Sequence, residues 1–225
     1  MQKLILIGAG GFAKSVMDSV DTSNFELAGF IDCYNKESHL GFPVLGKNLD
    51  DIINPEKYVY FISIGNARHR QVHFKALKQR DLELINVIDK TALVGTDVKF
   101  GTGCFVGKLV VVNRDVTIGD NCIINTKALL EHGCRIGSHV NISTCSILNG
   151  DVHVGNESFV GSGAIVNGQV KIGHQAVVGS GAVVVRNVGD KMTVVGVPAR
   201  AIDELELSSF NYDENLETVK LMVRG

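Results

Sequence analysis

The 225-residue sequence predicts a small α/β domain, residues 1–88, joined to a parallel β-helix, residues 89–202, with a tail from 203 to 225. Three observations predict this. From residue 94 to residue 184 an aliphatic or aromatic side chain stands at every sixth position without a miss. A second column, two residues earlier, runs from Ala92 to Ala182 and is small or β-branched at nearly every place. Ahead of both, short apolar runs alternate with helical stretches. A period of six matches neither a helix nor a plain strand, so it belongs to a supersecondary unit.

Each hexad reads as one short strand and a turn, with two residues pointing inward. Gly or Asn often follows the larger inward residue (Gly95, Gly119, Asn113, Asn125), and both tolerate the backbone of a tight corner. A stronger echo recurs at eighteen residues: Ile118-Gly119, Ile136-Gly137, Val154-Gly155 and Ile172-Gly173. Three hexads therefore make one coil of triangular section, and stacked coils bury one another's cores. An antiparallel sandwich would instead show turn signals about every 8–12 residues and no fixed period.

In the first domain, residues 3–7 form an apolar strand that runs into Gly8-Ala9-Gly10-Gly11-Phe12-Ala13-Lys14 and a helix to about residue 20. Strands follow at 27–31, ending at Asp32, and at 58–64, ending at Gly65; 67–79 reads as a helix and 84–88 as a last strand. Such alternation implies a small parallel, Rossmann-like sheet whose ligands bind past the carboxyl ends of its strands. Gly8 and Gly10 at that edge let a phosphate approach the backbone at a helix N-terminus. Gly8-x-Gly10-x-x-Ala13, with Asp32 as the ribose-binding carboxylate, also fits a loose dinucleotide fingerprint. About four strands fall short of the six of a complete dinucleotide fold, and no hydride-transfer domain follows. The pattern favours a nucleotide-sugar diphosphate over NAD.

Composition narrows the classes further. A net charge of −2 offers no strongly basic face for nucleic acid. No apolar run approaches the ~18 residues of a membrane span, and the start of the chain shows no signal-peptide cleavage site. The five cysteines have no disulfide-like spacing, and Cys104, Cys122 and Cys134 fall in the small inward column as compact hydrophobes. A reduced, cytoplasmic protein is expected. No Cys/His pair has ligand spacing, so no metal is expected.

The glycine turn at 8–14, the uninterrupted hexads and Gly196-Val197-Pro198-Ala199-Arg200 stand in this order along the chain as far as Ile202. Together they resemble the hexapeptide-repeat sugar acyltransferases of the sialic acid O-acetyltransferase type. That family includes N-acetyltransferases acting on nucleotide-linked 4-amino-4,6-dideoxy sugars. The resemblance implies a left-handed β-helix and a homotrimer with active sites between subunits. It also implies acetyl-CoA lying along the coils and a nucleotide-activated sugar held by the N-terminal domain.

Acetyl transfer from a thioester needs a general base on the acceptor and a donor for the developing oxyanion. By the resemblance His132, after Asn125-Thr126 and just before Ile136-Gly137, is the catalytic base; it also stands outside both inward columns. The family often carries an acidic residue directly after this histidine, where the chain has Gly133, so either Glu131 or a residue of another subunit orients the ring, or the base is less polarised. The family's next site histidine falls on Asn141, which can donate a hydrogen bond to a thioester carbonyl; His139 is a second candidate for that role. The other matching acetyl-CoA positions are Gly161, Ser162, Gly179, Ser180, Pro198 and Arg200. For the nucleotide sugar they are Gly8, Gly10, Gly11, Lys14, Asp32 and Gly65, with Arg68 and Arg70 as further candidates. Cys33 replaces a second acidic residue common after Asp32.

The mechanism expected is direct transfer, because no Ser or Cys is evidently paired with a base for a covalent acetyl-enzyme. Two alternatives share the sequence signals: O-acetylation of a sialic-acid-type sugar, and a non-catalytic scaffold whose N-terminal domain senses a nucleotide. Residues 216–223 suggest a short amphipathic helix that covers the end of the coil.

Overall fold

The computed structural model describes residues 1–34 and 37–202; the expected tail helix lies outside the described residues. Each hexad contributes a two-residue strand, and three successive strands make the three sides of a coil. Phe105–Val106, Val111–Val112 and Thr117–Ile118 form one such coil. Each pairs in parallel with the strand eighteen residues on, as in Phe105↔Ile123, Val111↔Leu129 and Thr117↔Arg135. The second residue of each strand points inward, and so does the residue just before the strand. Val106, Val112, Ile118, Cys104, Val110 and Val116 are accordingly all buried in one continuous core. Each corner of this coil holds one residue in the left-handed conformation, Leu109, Asp115 and Asn121, with φ of 57°, 61° and 56°. Along the β-helix, Asp, Asn and Gly take about half of such corners and tolerate that region best; Leu109, Lys127, His139, Cys145, Glu157, Gln169 and Gln175 are held there by the coil itself. The last coil contracts, since Val178 pairs with Val194 after sixteen residues rather than eighteen. The architecture is the expected one, an α/β domain followed by a left-handed parallel β-helix.

The first domain is a five-stranded sheet in the order β3-β4-β2-β1-β5. Its strands are β1 Gln2–Ile7, β2 Phe25–Ile31, β3 Ser38–His39, β4 Phe42–Gly46 and β5 Tyr58–Ile62. Helices α1, Gly11–Ser19, and α2, Ala67–Gln79, complete it. The sheet differs from the expected one in two ways. β3 and β4 form an antiparallel hairpin, so the sheet is mixed. The expected strand at 84–88 is divided between the domains: Leu84 makes a single bridge to Tyr60, whereas Val87–Ile88 pairs with Phe105–Val106 as the first rung of the coil. One apolar alternation thus serves two sheets, which sequence periodicity does not separate.

The three outer faces of the coil differ in kind. On the first, Phe105 and Ile123 are buried in the core of the α/β domain, and Phe12 meets Phe105 edge-on at 5.0 Å. Ser19 donates to Asp89 at 2.7 Å, and Lys108 pairs with Asp18 at 3.0 Å, fastening α1 along one corner. The second face carries an uncovered apolar column, Leu93, Val111, Leu129, Ile147, Ile165 and Val183; Leu93 is 67% exposed. The third is polar, with Lys99, Thr117, Arg135, His153 and Lys171. Among the described residues no helix is long and apolar enough to cross a membrane, and no group of His, Cys, Asp and Glu could hold a metal ion.

Candidate active site

The glycines of the first turn have different reasons to be there. Gly8 has φ +101°, and a Cβ on it would lie 2.6 Å from Ile64 Cγ1, so the fold itself requires it. Gly10 and Gly11 are exposed, and a Cβ on either would meet nothing within 4 Å. The fold leaves this space open in front of α1, whose N-cap Gly10 supplies no side-chain bond and whose first turn holds no acid. That is the arrangement an anion uses at a helix N-terminus. Lys14 is exposed one turn along, and Gly65 is exposed beyond the end of β5.

Asp32 takes a part that the dinucleotide fingerprint does not. Its Oδ2 accepts from the backbone N–H of Ala9 at 2.6 Å, and its Oδ1 accepts from that of Tyr34 at 2.9 Å. It is buried, and each oxygen already serves a backbone donor. Asp32 holds the glycine turn in shape.

The carboxyl edge of the sheet is locked to the coil through Arg70. This residue lies on the buried face of α2 with Phe74 and Leu77, and is 1% exposed. Its Nε donates to Asn121 O at 3.1 Å, and its Nη1 donates to Ile64 O at 3.2 Å and Gly65 O at 3.0 Å. Its Nη2 donates to Asn141 Oδ1 at 2.6 Å, and Asn141 Nδ2 donates in turn to Gly65 O at 3.1 Å. Asn141 therefore faces the α/β domain, with both ends of its amide engaged there. His139 belongs to the same junction. Its Nδ1 accepts from Asn121 Nδ2 at 2.8 Å, and its ring meets Phe74 edge-on at 5.3 Å. Burial, then the charge of Arg70, lowers its pKa below the usual histidine value. Neither His139 nor Arg70 stood out for this role in the sequence. The legible signal was a lone Arg at the i position of an i, i+4, i+7 stripe whose other members are Phe and Leu.

His132 stands elsewhere, on the corner between the apolar and polar faces. It is exposed, and its ring lies over Gly150 of the next coil: a Cβ at Gly150 would come within 2.6 Å of Cε1 and 2.7 Å of Nε2. Its carbonyl accepts from Asp151 N at 2.9 Å. Glu131 turns back to the preceding coil, where its Oε2 accepts from Asn113 Nδ2 at 2.9 Å. Gly133 has φ +69°, and a Cβ there would run into Asp151 Oδ1. The carboxylate of Asp151 thus fills the space that a side chain at 133 would need. A groove of about 710 Å³, lined by Lys99, Thr117, Arg135 and Asp151 among others, opens beside this corner.

Apart from Asn141, the positions expected to meet acetyl-CoA gather on the opposite edge of the apolar face. There the left-handed corner residues run Leu109, Lys127, Cys145, Gly163, Gly181. A Cβ on Gly163 or Gly181 would meet nothing within 4 Å, so the upper two coils are stripped of side chains along this edge. Ser162 and Ser180 are exposed beside them, and Ser162 Oγ lies 2.9 Å from Thr144 Oγ1. Gly161 packs so closely on the next coil that a Cβ would sit 2.5 Å from Ser180 N. The loop carrying Pro198 joins this end, since Val183 N donates to Gly196 O at 3.0 Å and Ala199 N donates to Val183 O at 2.8 Å. Arg200 is exposed in the strand Arg200–Ile202. One chain therefore joins Gly65 to Asn141, and packs Gly179 against Val195, just before the loop that carries Pro198. It keeps His132 a full apolar face away from the stripped edge.

Residues 3–77 match the family of PglD N-terminal domains. A variant of perosamine N-acetyltransferase from Caulobacter crescentus, solved with CoA and GDP-perosamine, is 34% identical, with 89% of this chain and 97% of that one covered at a TM-score of 0.83. The acetyltransferase domain of PglB from Neisseria gonorrhoeae FA1090 is 32% identical, with 90% and 100% covered at 0.86. WeeI from Acinetobacter baumannii AYE is 28% identical, with 88% and 99% covered at 0.80. Among curated protein sequences none matches.

Proposed function

The chain belongs to the hexapeptide-repeat nucleotide-sugar N-acetyltransferases, acyltransferases that use acetyl-CoA, and on that premise we propose that it acetylates the 4-amino group of a nucleotide-linked 4-amino-4,6-dideoxy sugar. The product would serve surface-glycan synthesis. GDP-perosamine in the Caulobacter relative points to this acceptor class. The observation that carries the reading is the open turn at Gly10 and Gly11, set at the sheet edge that Gly65 and Asn141 fasten to the coil. A sugar diphosphate bound there would point its sugar out along the β-helix.

In this reading His132 takes a proton as the amine attacks the thioester carbonyl and a backbone N–H holds the tetrahedral oxyanion; collapse of that intermediate breaks the C–S bond, and the departing CoA sulfur receives the proton. Acetyl-CoA would lie along the stripped edge at Gly161, Ser162, Gly179 and Ser180, with Pro198 and Arg200 at its end. His132 and that edge flank the apolar column from Leu93 to Val183, so a second copy packed on the column would bring its His132 to this chain's edge. This supports a homotrimer with active sites between subunits, as an exposed apolar stripe of this kind favours association.

Release of free CoA thiol, measured across a panel of acceptors, tests the reading. UDP-, GDP- and dTDP-linked 4-amino sugars are expected to include the substrate. Turnover confined to a sialic acid would overturn the amino-sugar assignment. His132→Ala is expected to lower turnover by about 10²–10⁴-fold while acetyl-CoA still binds; full turnover would remove His132 from the mechanism.

A further inference from the structure

Arg70 carries a buried positive charge that the protein does not neutralise. Its four hydrogen-bond acceptors are the carbonyl oxygens of Asn121, Ile64 and Gly65 and the amide oxygen of Asn141, and none of them is charged. Among the described residues no carboxylate lies within ion-pair distance of it. The nearby Glu157 is held elsewhere, by Gln71 and Gln175, each at 3.1 Å. Burial lowers the guanidinium's pKa to about 10, which still leaves it a cation at neutral pH. A buried charge without a counter-ion is costly, and natural proteins rarely keep one without a use.

The charge is linked to the glycine turn through residues 63–65. Arg70 binds the carbonyls of Ile64 and Gly65, and Ile64 is the residue that a Cβ on Gly8 would strike. Ser63, one residue earlier, donates from its hydroxyl to Gly8 O at 2.6 Å. The wall of the turn is thus the same short segment that the guanidinium grips from within. Its grip has a second effect. The oxygens of Ile64 and Gly65 at the sheet edge are bound to the cation, which offsets the negative charge they would otherwise present to an anion at the turn.

We propose that Arg70 is a positioning residue that acts as the buried counter-charge for the diphosphate of the nucleotide sugar. It does so without touching the ligand, through the carbonyls of residues 64 and 65. The proposal rests on the nucleotide-sugar reading of the α/β domain. It predicts that Arg70 governs affinity for the phosphates and is indifferent to the nucleoside.

Calorimetry with UDP, GDP and dTDP, each against its own nucleoside, separates the two. Arg70→Gln removes the charge, and Arg70→Lys keeps it. Asn141→Asp is a second route: it places a carboxylate beside Nη2 and neutralises the cation with little change of shape, though it loses the bond to Gly65 O. Thermal midpoints show whether each variant is folded. Arg70→Gln and Asn141→Asp are expected to weaken the binding diphosphate by about tenfold and its nucleoside by less than about twofold, as for loss of one charge in a half-buried site. Arg70→Lys is expected to retain most of the diphosphate's advantage. Equal losses for diphosphate and nucleoside would make Arg70 a structural clamp and overturn the proposal alone. A wild-type protein that binds none of the three diphosphates would overturn the nucleotide-sugar reading as well.

Discussion

The imidazole of His132 occupies the space that a side chain on Gly150 would fill, one coil further along the β-helix. Gly150 has no left-handed backbone to explain it, unlike Gly133 or Gly163. Its absent side chain is what lets the ring lie flat along the corner. Gly150→Ala should therefore push the ring out of place and leave the coil intact. The expected result is a fall in kcat of about tenfold to a hundredfold, since small misplacements of a catalytic group are costly. The thermal midpoint should stay within about 2 °C, as for other surface substitutions. An unchanged kcat would mean that the proposed base does not work from this orientation.

Gly133 and Asp151 form a second linked pair. Their corner column reads Asp97, Asp115, Gly133, Asp151, and all three aspartates have φ near +60°. An Asp at 133 would suit the backbone, and its Cβ would meet the carboxylate of Asp151, which would have to turn aside. Gly133→Asp alone should be destabilising, by about 1 kcal/mol or more, through crowding of two like charges. Adding Asp151→Gly should restore most of that loss. The double-mutant cycle measured by denaturant unfolding should show a coupling of at least about 0.5 kcal/mol, the range for residues in contact. Simple additivity would show that the two positions do not share the space.

These pairs mark where sequence stops informing. The coil was legible because its inward columns repeat without interruption, and the same columns explain Cys104, Cys122 and Cys134 as core residues. The glycine turn was legible because it sits between a strand and a helix. The hairpin of β3 and β4 was not, since two and five residues are too few to show a period. The absence of an acidic residue after His132 was legible, but its counterpart in space was not, because Asp151 lies eighteen residues on. Asn141 matched a family position by register alone, and only the fold shows both ends of its amide committed to Arg70 and Gly65. Asp32 similarly matched a ribose ligand by spacing, and only the fold shows that it also accepts from Ala9 and Tyr34.

The domain junction should respond to acid. Burial first, then the charge of Arg70, lowers the pKa of His139 from its ordinary value of 6.5. A histidine depressed in the folded state favours the neutral form there. Its contribution to stability is complete above pH 6.5, declines as pH falls below that, and is gone once pH passes below the folded-state pKa. His73, lowered by burial and by His69, adds to the same slope. His139→Asn removes the titration and keeps a residue that tolerates the φ of 63° at this corner. Melting curves from pH 7.5 to 5.5 should fall less steeply in the variant. Equal slopes would show that His139 titrates the same in both states.

The separation of His132 from the open turn makes a test of shared sites possible. Gly10→Val should fill the open space before α1 without backbone strain, because Gly10 has an extended conformation with φ −92°. Gly10→Val and His132→Ala homo-oligomers should each be nearly inactive. If one subunit supplies the base and its neighbour the acceptor, mixed assemblies contain sites with both elements intact. Random one-to-one mixing after denaturation and refolding should then restore up to about a quarter of wild-type turnover, the chance that each half comes from the right chain. Ile147→Asp on the apolar column, added to both chains, should abolish that recovery by preventing assembly, as sedimentation would record. Recovery that never rises above the two parents would place the whole site within one chain, and the apolar column would then need a different partner.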